Sequence, residues 1–493
     1  MGLHLYDTRT RRVRPFEPLR PGHVGVYVCG PTVQSAPHVG HLRTALPFDL
    51  LRRWLEQSGQ DVTLVQNVTD IDDKIIVNAG RDNTSVWELA TRQTRAFDEA
   101  YRTVGILPPT IQPRATGHLP EMIALVAALV DAGYAYPGAG SVWFRVGRFG
   151  DYGALSHQRP EAMLPSAEAE PGKADPRDFA LWKAARPGEP SWSSPWGDGR
   201  PGWHLECSAM AGKYLGSTFD IHGGGLDLVF PHHENERAQT LCAATATGAP
   251  GRPGAGAPDE MARYWMHVGL LTTGGTKMSK SLGNSVLVAD ALEVVRPQVL
   301  RYHLLSAHYR STLEYSPEAL AESTAAHDRV ETFVRNALDI LGGPGEAAAL
   351  AADDGPASAE RGPHGAGAAG SWADFTAALD DDLAVGRALA ALFGAVAQGN
   401  QVLSKAHSRA LATWVHVTRR MLAVLGLDPH EQWPTAGAEL RPALDGVMQI
   451  VLDLRSAARA RRDYAEADAI RARLAAAGLI VEDTPEGQRW HLA

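Results

Sequence analysis

The sequence predicts an α/β chain: an open parallel-sheet domain split by an insertion, then a helical bundle, then a small C-terminal module. Three observations carry this. Short β-branched runs alternate with runs of helical apolar spacing over residues 1–115 and again over 201–290. Proline and glycine accumulate between those stretches, over 116–200, where the alternation loosens. From 291 to 430 the apolar spacing is helical almost throughout, and 431–493 carries a helix-then-strand pattern of its own.

At 493 residues the chain has room for three or more domains. Hydrophobic residues make up 44% and charged residues 21%, the balance of a water-soluble protein. The net charge of −9 means that a nucleic-acid partner must find local basic patches. Residues 1–16 are polar and Arg-rich, without the apolar segment of a secretory signal. No apolar run approaches the ~18 residues of a membrane span. The three cysteines, Cys29, Cys207 and Cys242, are too few and too scattered for a disulfide framework. A cytoplasmic monomer without a membrane partner is expected.

In chain order, Val24, Val26 and Val28 alternate as in a strand, and Leu46, Leu50, Leu51, Trp54 and Leu55 follow at helical spacing within 42–59. Between them lies Cys29 to Arg43, a strand-to-helix crossing, where an open parallel sheet places its ligands. Val62 to Gln66 reads as a second strand. The acids after it, Asp70, Asp72 and Asp73, suit a metal, a substrate or, preferably, a helix cap. Ser85 to Gly105 reads as a helix, as does Leu119 to Ala132, which Gly133 is placed to end. Val142 to Val146 reads as a strand of the insertion. The main sheet is expected to resume near Trp203 to Met210 and to continue through Phe219 to Phe230. Pro231 is suited to open the next helix. Tyr264 to Leu271 reads as a strand leading into Lys277-Met278-Ser279-Lys280-Ser281.

Helices are then expected over 319–341, 372–399 and 406–427, with 342–371 a disordered loop and 248–258 a surface loop. A last helix over 444–474 is broken near Arg459 to Asp463, and Ile480 to Asp483 reads as a strand. Trp490 either stacks on a ligand or fills the small core.

Four clusters carry chemistry. His38-Val39-Gly40-His41 sets two imidazoles at a helix N-terminus, which attracts anions, and Gly40 admits a flat ring to the backbone. The plain alternative is a cap with two surface histidines. Lys277 and Lys280, flanked by glycines, suit a loop that closes on a polyphosphate, or else form a solvated basic loop. Gly223, Gly224 and Gly225 permit close backbone approach to a nucleoside, or mark a turn. For a metal, Cys29 and Cys207 fall beside strand ends, and His232 and Glu236 share a helical face at i, i+4. Two thiolates, an imidazole and a carboxylate suit zinc better than a hard cation. The competing reading is two buried cysteines beside a polar helix. His233 is set aside because it pairs at i+4 with Arg237 on another face, and Cys242 reads as a buried small residue.

The ordered pair H-V-G-H and K-M-S-K-S resembles the signature of class I aminoacyl-tRNA synthetases. With N-V-T-D-I-D-D-K, R-P-G-W-H-L-E-C-S-A-M and D-I-H-G-G-G-L-D-L-V-F-P-H-H-E-N-E, the chain resembles the cysteinyl-tRNA synthetase family from near residue 1 to its end. The resemblance implies a Rossmann-like catalytic domain and an anticodon-binding module. It implies zinc on Cys29, Cys207, His232 and Glu236, with the substrate thiol in the open position beside Cys29. Thr69, Trp203 and Asp227 would line the cysteine and adenylate pocket.

ATP would lie against His38, Gly40, His41, Gly223 to Gly225, Asp227, Lys277 and Lys280, with Mg2+ accompanying it. Arg459, Asp468 and Asp483 would read the anticodon of tRNA(Cys). Catalysis would rest on His38, His41, Lys277 and Lys280. Two relatives in kind remain as alternatives: a ligase joining cysteine to a glucosaminyl-inositol in mycothiol synthesis, which lacks the C-terminal module, and a non-catalytic RNA-binding paralogue. Val39 replaces an isoleucine of the family signature, and tracts 248–258 and 342–371 look longer than the family needs.

Overall fold

The computed structural model describes residues 2–159, 170–245, 260–278, 283–352, 363–403, 408–429, 441–484 and 487–492. The chain forms two compact units, Met1–Gln432 and Trp433–Ala493.

The first unit opens with the hairpin β1 (His4–Asp7) and β2 (Arg12–Pro15). Strand β3 (His23–Val28) is buried on both faces from Val24 onward, as in a parallel sheet covered on each side. Helix α1 (Val39–Gln57) buries Leu46, Leu50, Leu51, Trp54 and Leu55 and returns the chain to the parallel strand β4 (Asp61–Gln66). Asp72 then caps α2 (Asp73–Arg81), its side chain accepting from the Lys74 N–H at 2.8 Å, so that acid does serve as a cap. The neighbouring acids do other work. Asp70 accepts from the Thr116 N–H and hydroxyl, while Asp73 pairs with Lys183 and Arg200 of the insertion. Ser85 caps α3 (Val86–Thr103).

The insertion begins with α4 (Leu119–Asp131), which ends at Gly133 with φ +74°. Strands β5 (Ala135–Gly138), β6 (Ser141–Phe144), β7 (Phe179–Ala184) and β8 (Gly199–Pro201) form an antiparallel sheet in that order. Trp203 to Met210 does not resume the sheet, as expected, but begins helix α5 (Trp203–Leu215). The stretch holds no β-branched residue, and Leu, Glu, Ala and Met favour the helix. Cys207 is therefore a helical residue rather than a strand-end one.

The main sheet resumes with β9 (Phe219–Gly225), so the three glycines end a strand instead of following one. A helical turn at Val229–His233 breaks at Phe230 (φ −139°, ψ 133°), before the cis Phe230–Pro231 bond, and leads into α6 (Glu234–Ala243). Strand β10 (Ala262–Val268) completes a four-stranded parallel sheet of order β10-β9-β3-β4. From β3 the chain moves one way to β4, then returns to the other side for β9. The carboxyl ends of β3 and β9 therefore flank a switch point, where such sheets bind ligands. Beyond it, β11 (Leu271–Thr273) and β12 (Thr276–Lys277) form a hairpin. The expected surface loop 248–258 lies outside the described residues.

The helical region comprises α7 (Val288–Val294), α8 (Pro297–Ser306), the short strand β13 (Leu313–Glu314) paired in parallel with β11, and α9 (Pro317–Leu341). Two expectations fail here. Within the supposed loop 342–371, α10 (Pro344–Ala352) and the first half of α11 (Pro363–Asp380) are helical; residues 353–362 lie outside the described residues. Alanine favours helix without a large side chain, and Ala347 and Ala368 are buried against the bundle. The single helix expected over 372–399 is two. It breaks before α12 (Val385–Val402), where Asp382 and Leu383 adopt φ +54° and +52°. Helix α13 (Arg409–Leu425) ends at Gly426 (φ +64°).

The second unit holds α14 (Arg441–Ala460), a break at Arg462 (φ +63°), α15 (Tyr464–Ala476), and the hairpin β14 (Leu479–Thr484) and β15 (Gly487–Leu492). Trp490 packs against the small core of Met448, Leu452 and Val481.

Candidate active site and metal centre

At the switch point lies a cavity of about 540 Å³. Its lining includes Cys29, His38, Gly40, His41, Trp203, Gly225, Asp227 and Lys277. The sequence explains how it opens. The backbone just past β3 passes close under Asn67: a Cβ on Gly30 would sit 1.6 Å from the Asn67 carbonyl oxygen. The Gly30 N–H donates to Asn67 Oδ1 at 2.8 Å.

At the other side, His38 is the N-cap residue of α1, and its N–H donates to His41 Nδ1 at 3.1 Å. The two imidazoles lie 3.8 Å apart between centroids. The flat ring that Gly40 admits is the His38 imidazole itself, since a Cβ there would come within 2.9 Å of it. Lys277 Nζ meets Asp227 Oδ2 at 3.2 Å across the cavity mouth.

The deep end holds the sulfur atoms. Cys29, Cys207, His232 and Glu236 are all buried, and their ligand atoms lie within 4.8 Å of one another. Cys29 Sγ is 3.3 Å from Glu236 Oε1, which is 2.9 Å from His232 Nε2. Cys207 Sγ donates to Asn67 Oδ1 at 3.7 Å.

The electrostatics follow. Burial opposes charge on every member, yet His232 and His222 hold the Glu236 carboxyl well below the usual range. Burial alone would lower the His232 imidazole, but Glu236 and Cys207 carry it to about 10. Burial likewise resists ionisation of Cys207, but hydrogen bonds with Cys29 and His232 bring its thiol down to about 6. Burial pushes the Cys29 thiol up, with Cys207 and Glu236 adding to the rise. This is a pocket whose protons a soft cation would displace.

A second overlapping quartet exists. Cys29, His222, His233 and Glu236 also lie within 4.8 Å of one another. His222 Nε2 is 2.9 Å from Glu236 Oε2, and His233 Nδ1 is 2.8 Å from His267 Nε2. The first quartet offers two sulfurs and the second only one.

Residues 15–325 match the family described as tRNA synthetases class I (C) catalytic domain, and residues 441–490 match the cysteinyl-tRNA ligase anticodon binding domain. A cysteine–tRNA ligase of Frankia casuarinae is 82% identical over 524 residues, covering 100% of each chain. One of Streptomyces avermitilis is 50% identical over 497 residues, covering 100% of this chain and 99% of that protein.

The chain belongs to the cysteine–tRNA ligase family.

The fold has a wider relation. A solved Mycobacterium tuberculosis methionyl-tRNA synthetase in complex with methionyl-adenylate matches with a TM-score of 0.58 at 17% identity, covering 83% of this chain and 92% of that one.

On the cysteine–tRNA ligase frame, the site residues read from the sequence fall in different places. Cys29, Cys207, His232 and Glu236 converge, and His38, Gly40, His41, Trp203, Gly225, Asp227 and Lys277 share the cavity. Thr69 is buried beside it, its hydroxyl accepting from Asn67 Nδ2 at 3.1 Å. Gly223 and Gly224 face protein: Phe48 covers the first, and Leu228 and His233 the second. Lys280 lies outside the described residues. Arg459 and Asp468 are exposed in the second unit, and Asp483 lies on β14.

Several neighbours were missed. His204 Nδ1 sits 2.9 Å from His232 Nδ1, and Trp203 stacks on the His232 ring at 4.2 Å. The spacing of His204 and Cys207 would have marked one helical face, had that stretch been read as a helix. His222 and Asn67 had no local signal, because their role comes from the pairing of β3 with β9 and β4. Cys242 is a buried residue of α6, its thiol raised by burial to about 12.

Proposed function

We propose that the protein attaches L-cysteine to tRNA(Cys) at the expense of ATP. The observation that carries the reading is one cavity whose lining takes in both Cys29, a member of the sulfur-bearing ligand set, and the basic residues His38, His41 and Lys277. The residues fit zinc, because two thiolates, one imidazole and one carboxylate converge in a buried pocket. Cys29, Cys207, His232 and Glu236 would hold it. Bound there, zinc supplies a soft electrophilic point that takes a thiolate in preference to a hydroxyl.

The chain's own residues do the rest. Trp203, stacked on His232, walls the amino-acid end, with Thr69 and Asp227 assigned to the cysteine and adenylate pocket by the family pattern. His38 and His41, at the positive N-terminal end of α1, receive the triphosphate of ATP, which arrives with Mg2+. A carboxylate oxygen of cysteine attacks the α-phosphorus, and the α–β bridging oxygen leaves with pyrophosphate. Lys277 faces the charge that develops there, and Lys280 is assigned the same task. A ribose hydroxyl of the terminal adenosine of tRNA then attacks the adenylate carbonyl and displaces AMP. Positioning and charge neutralisation supply most of the acceleration.

We assign this chemistry to residues 1–115 and 201–290, with 116–200 as the insertion, 291–430 as the helical region, and 431–493 for the anticodon through Arg459, Asp468 and Asp483. The C-terminal family match favours this reading over the aminosugar ligase, which lacks such a module. Cysteine-dependent ATP–pyrophosphate exchange, followed by transfer to tRNA(Cys) and to glucosaminyl-inositol, tests it. Exchange with cysteine but not serine, and transfer to tRNA alone, is expected. Transfer to the aminosugar, or no exchange, overturns it.

A further inference from the structure

We propose that Glu314 is a positioning residue for the activation step, its carboxylate holding the turn that presents Lys277 to the cavity. The proposal rests on the function proposed above. Lys277 ends the second strand of a tight hairpin with the register Thr272 to Lys277 and Thr273 to Thr276. The two turn residues, Gly274 and Gly275, have φ +59° and +72°, the paired left-handed backbone that such a hairpin needs. Both of their N–H groups point at one side chain. Gly274 N–H donates to Glu314 Oε1 at 2.6 Å and Gly275 N–H to Oε2 at 3.4 Å; the Thr272 hydroxyl donates to Oε2 as well.

Glu314 reaches the turn from β13, which pairs with β11 at Thr272, so a strand aims the carboxylate. The other end of the hairpin is fixed by Met278. Its N–H donates to the Leu271 carbonyl at 2.9 Å, and its side chain is buried in the main core. The contact of Lys277 with Asp227 is a single ion pair between side chains that are 44% and 54% exposed, so it adds little to the three hydrogen bonds and the strand pairing that hold the turn.

The frame extends to the histidines. The loop before β13 gives the carbonyls of His308, Tyr309 and Ser311 to the buried guanidinium of Arg43, two residues past His41 on α1. The helix that bears His41 and the hairpin that bears Lys277 thus hang on one hydrogen-bonded piece. A charge displaced by about 1 Å from a developing pyrophosphate loses much of its effect on rate.

The test is pre-steady-state adenylate formation by Glu314→Ala in the full chain with zinc bound. The expected result is a fall of about ten-fold or more in the activation rate, with the cysteine KM within about two-fold of the parent. Transfer from preformed cysteinyl-adenylate to tRNA, which releases no pyrophosphate, stays within about two-fold. Glu314→Gln keeps an acceptor for the turn and restores most of the rate. Thr272→Val, which removes a single donor, gives a smaller loss in activation alone and serves if Glu314→Ala folds poorly.

An activation rate for Glu314→Ala within about two-fold of the parent overturns the proposal. Equal losses in activation and transfer, following a lowered Tm, overturn it in favour of a role in folding alone. A parent protein without cysteine-dependent exchange overturns the underlying reading and the proposal together.

Discussion

Gly40 shows how little material separates a working site from a closed one. The His38 ring lies over it and against His41, and a methyl group would come within 2.9 Å of that ring. Gly40→Ala should displace the imidazole from the phosphate end and slow cysteine-dependent exchange by about 10²-fold. Zinc content should stay at the parent's level, because none of the four proposed ligands contacts Gly40. Exchange at the parental rate would show that the ring has no part in the chemistry. The sulfur end yields a second prediction, since two quartets share Cys29 and Glu236. Zinc analysis separates them. Cys207→Ser should lower the metal content and weaken cysteine binding far more than ATP binding, because its sulfur belongs to the first quartet alone. His233→Ala should keep about one zinc per chain. A metal-free His233→Ala protein would move the site to the quartet with His222.

Among the elements, α1 was legible because five apolar residues recur at helical spacing and all five are buried. The ligand pair at the start of α6 was legible from its spacing: His232, in the turn before the helix, and Glu236, four residues on, meet at 2.9 Å. Helix α5 was misread because its neighbours in the sheet invited a strand. Helices α10 and α11 were misread because Ala–Gly composition looks solvated until a bundle covers it. At α11 the small residue is the packing device: a Cβ on Gly367 would come within 3.2 Å of the Trp414 ring.

The junction of α8 with α9 carries a pH-dependent cost. His303 is 2% exposed, its Nδ1 lies 3.0 Å from Ser323 Oγ, and burial lowers its imidazole from 6.5 to about 4. Above pH 6.5 neither state is protonated and the group is neutral to stability. As pH falls from 6.5 towards 4 the unfolded chain binds the proton first, so stability is lost. The loss from this residue is on the order of 2 kcal/mol by pH 5. Urea unfolding of His303→Gln against the parent at pH 7 and pH 5 checks it: the variant should lose less stability between the two. Parallel losses would mean that His303 is protonated without cost.

At the scale of the whole molecule, a chain of net charge −9 must gather RNA with local features. Among the described residues no helix is long and apolar enough to cross a membrane. The second unit has a core of its own, Met448, Leu452 and Val481 with Leu474, Leu479 and Trp490 around it, so Trp490 is committed to packing. Arg459, Arg461, Arg462, Arg471 and Arg473 are exposed there, and Arg461 pairs with Glu466 at 2.9 Å. A step-resolved measurement separates RNA contact from a plain solvated surface. Among the described residues, the main core runs as far as Leu427. The described residues that line the active-site cavity, Cys29 to Met278, belong to the first unit.

Removal of residues 433–493 should therefore leave cysteine-dependent exchange within about two-fold of the parent and lower tRNA aminoacylation by about 10²-fold or more. Within the module, Arg459→Ala separates two modes of contact. If the arginine reads a base edge, discrimination among anticodon variants relaxes while the salt dependence changes little. If it meets a phosphate, binding weakens for all tRNAs and the salt slope falls by about one. The anticodon assignment expects the first result, because carboxylates such as Asp468 and Asp483 suit base amino groups and repel phosphates. A truncated protein that charges tRNA as well as the whole chain would remove the module from recognition altogether.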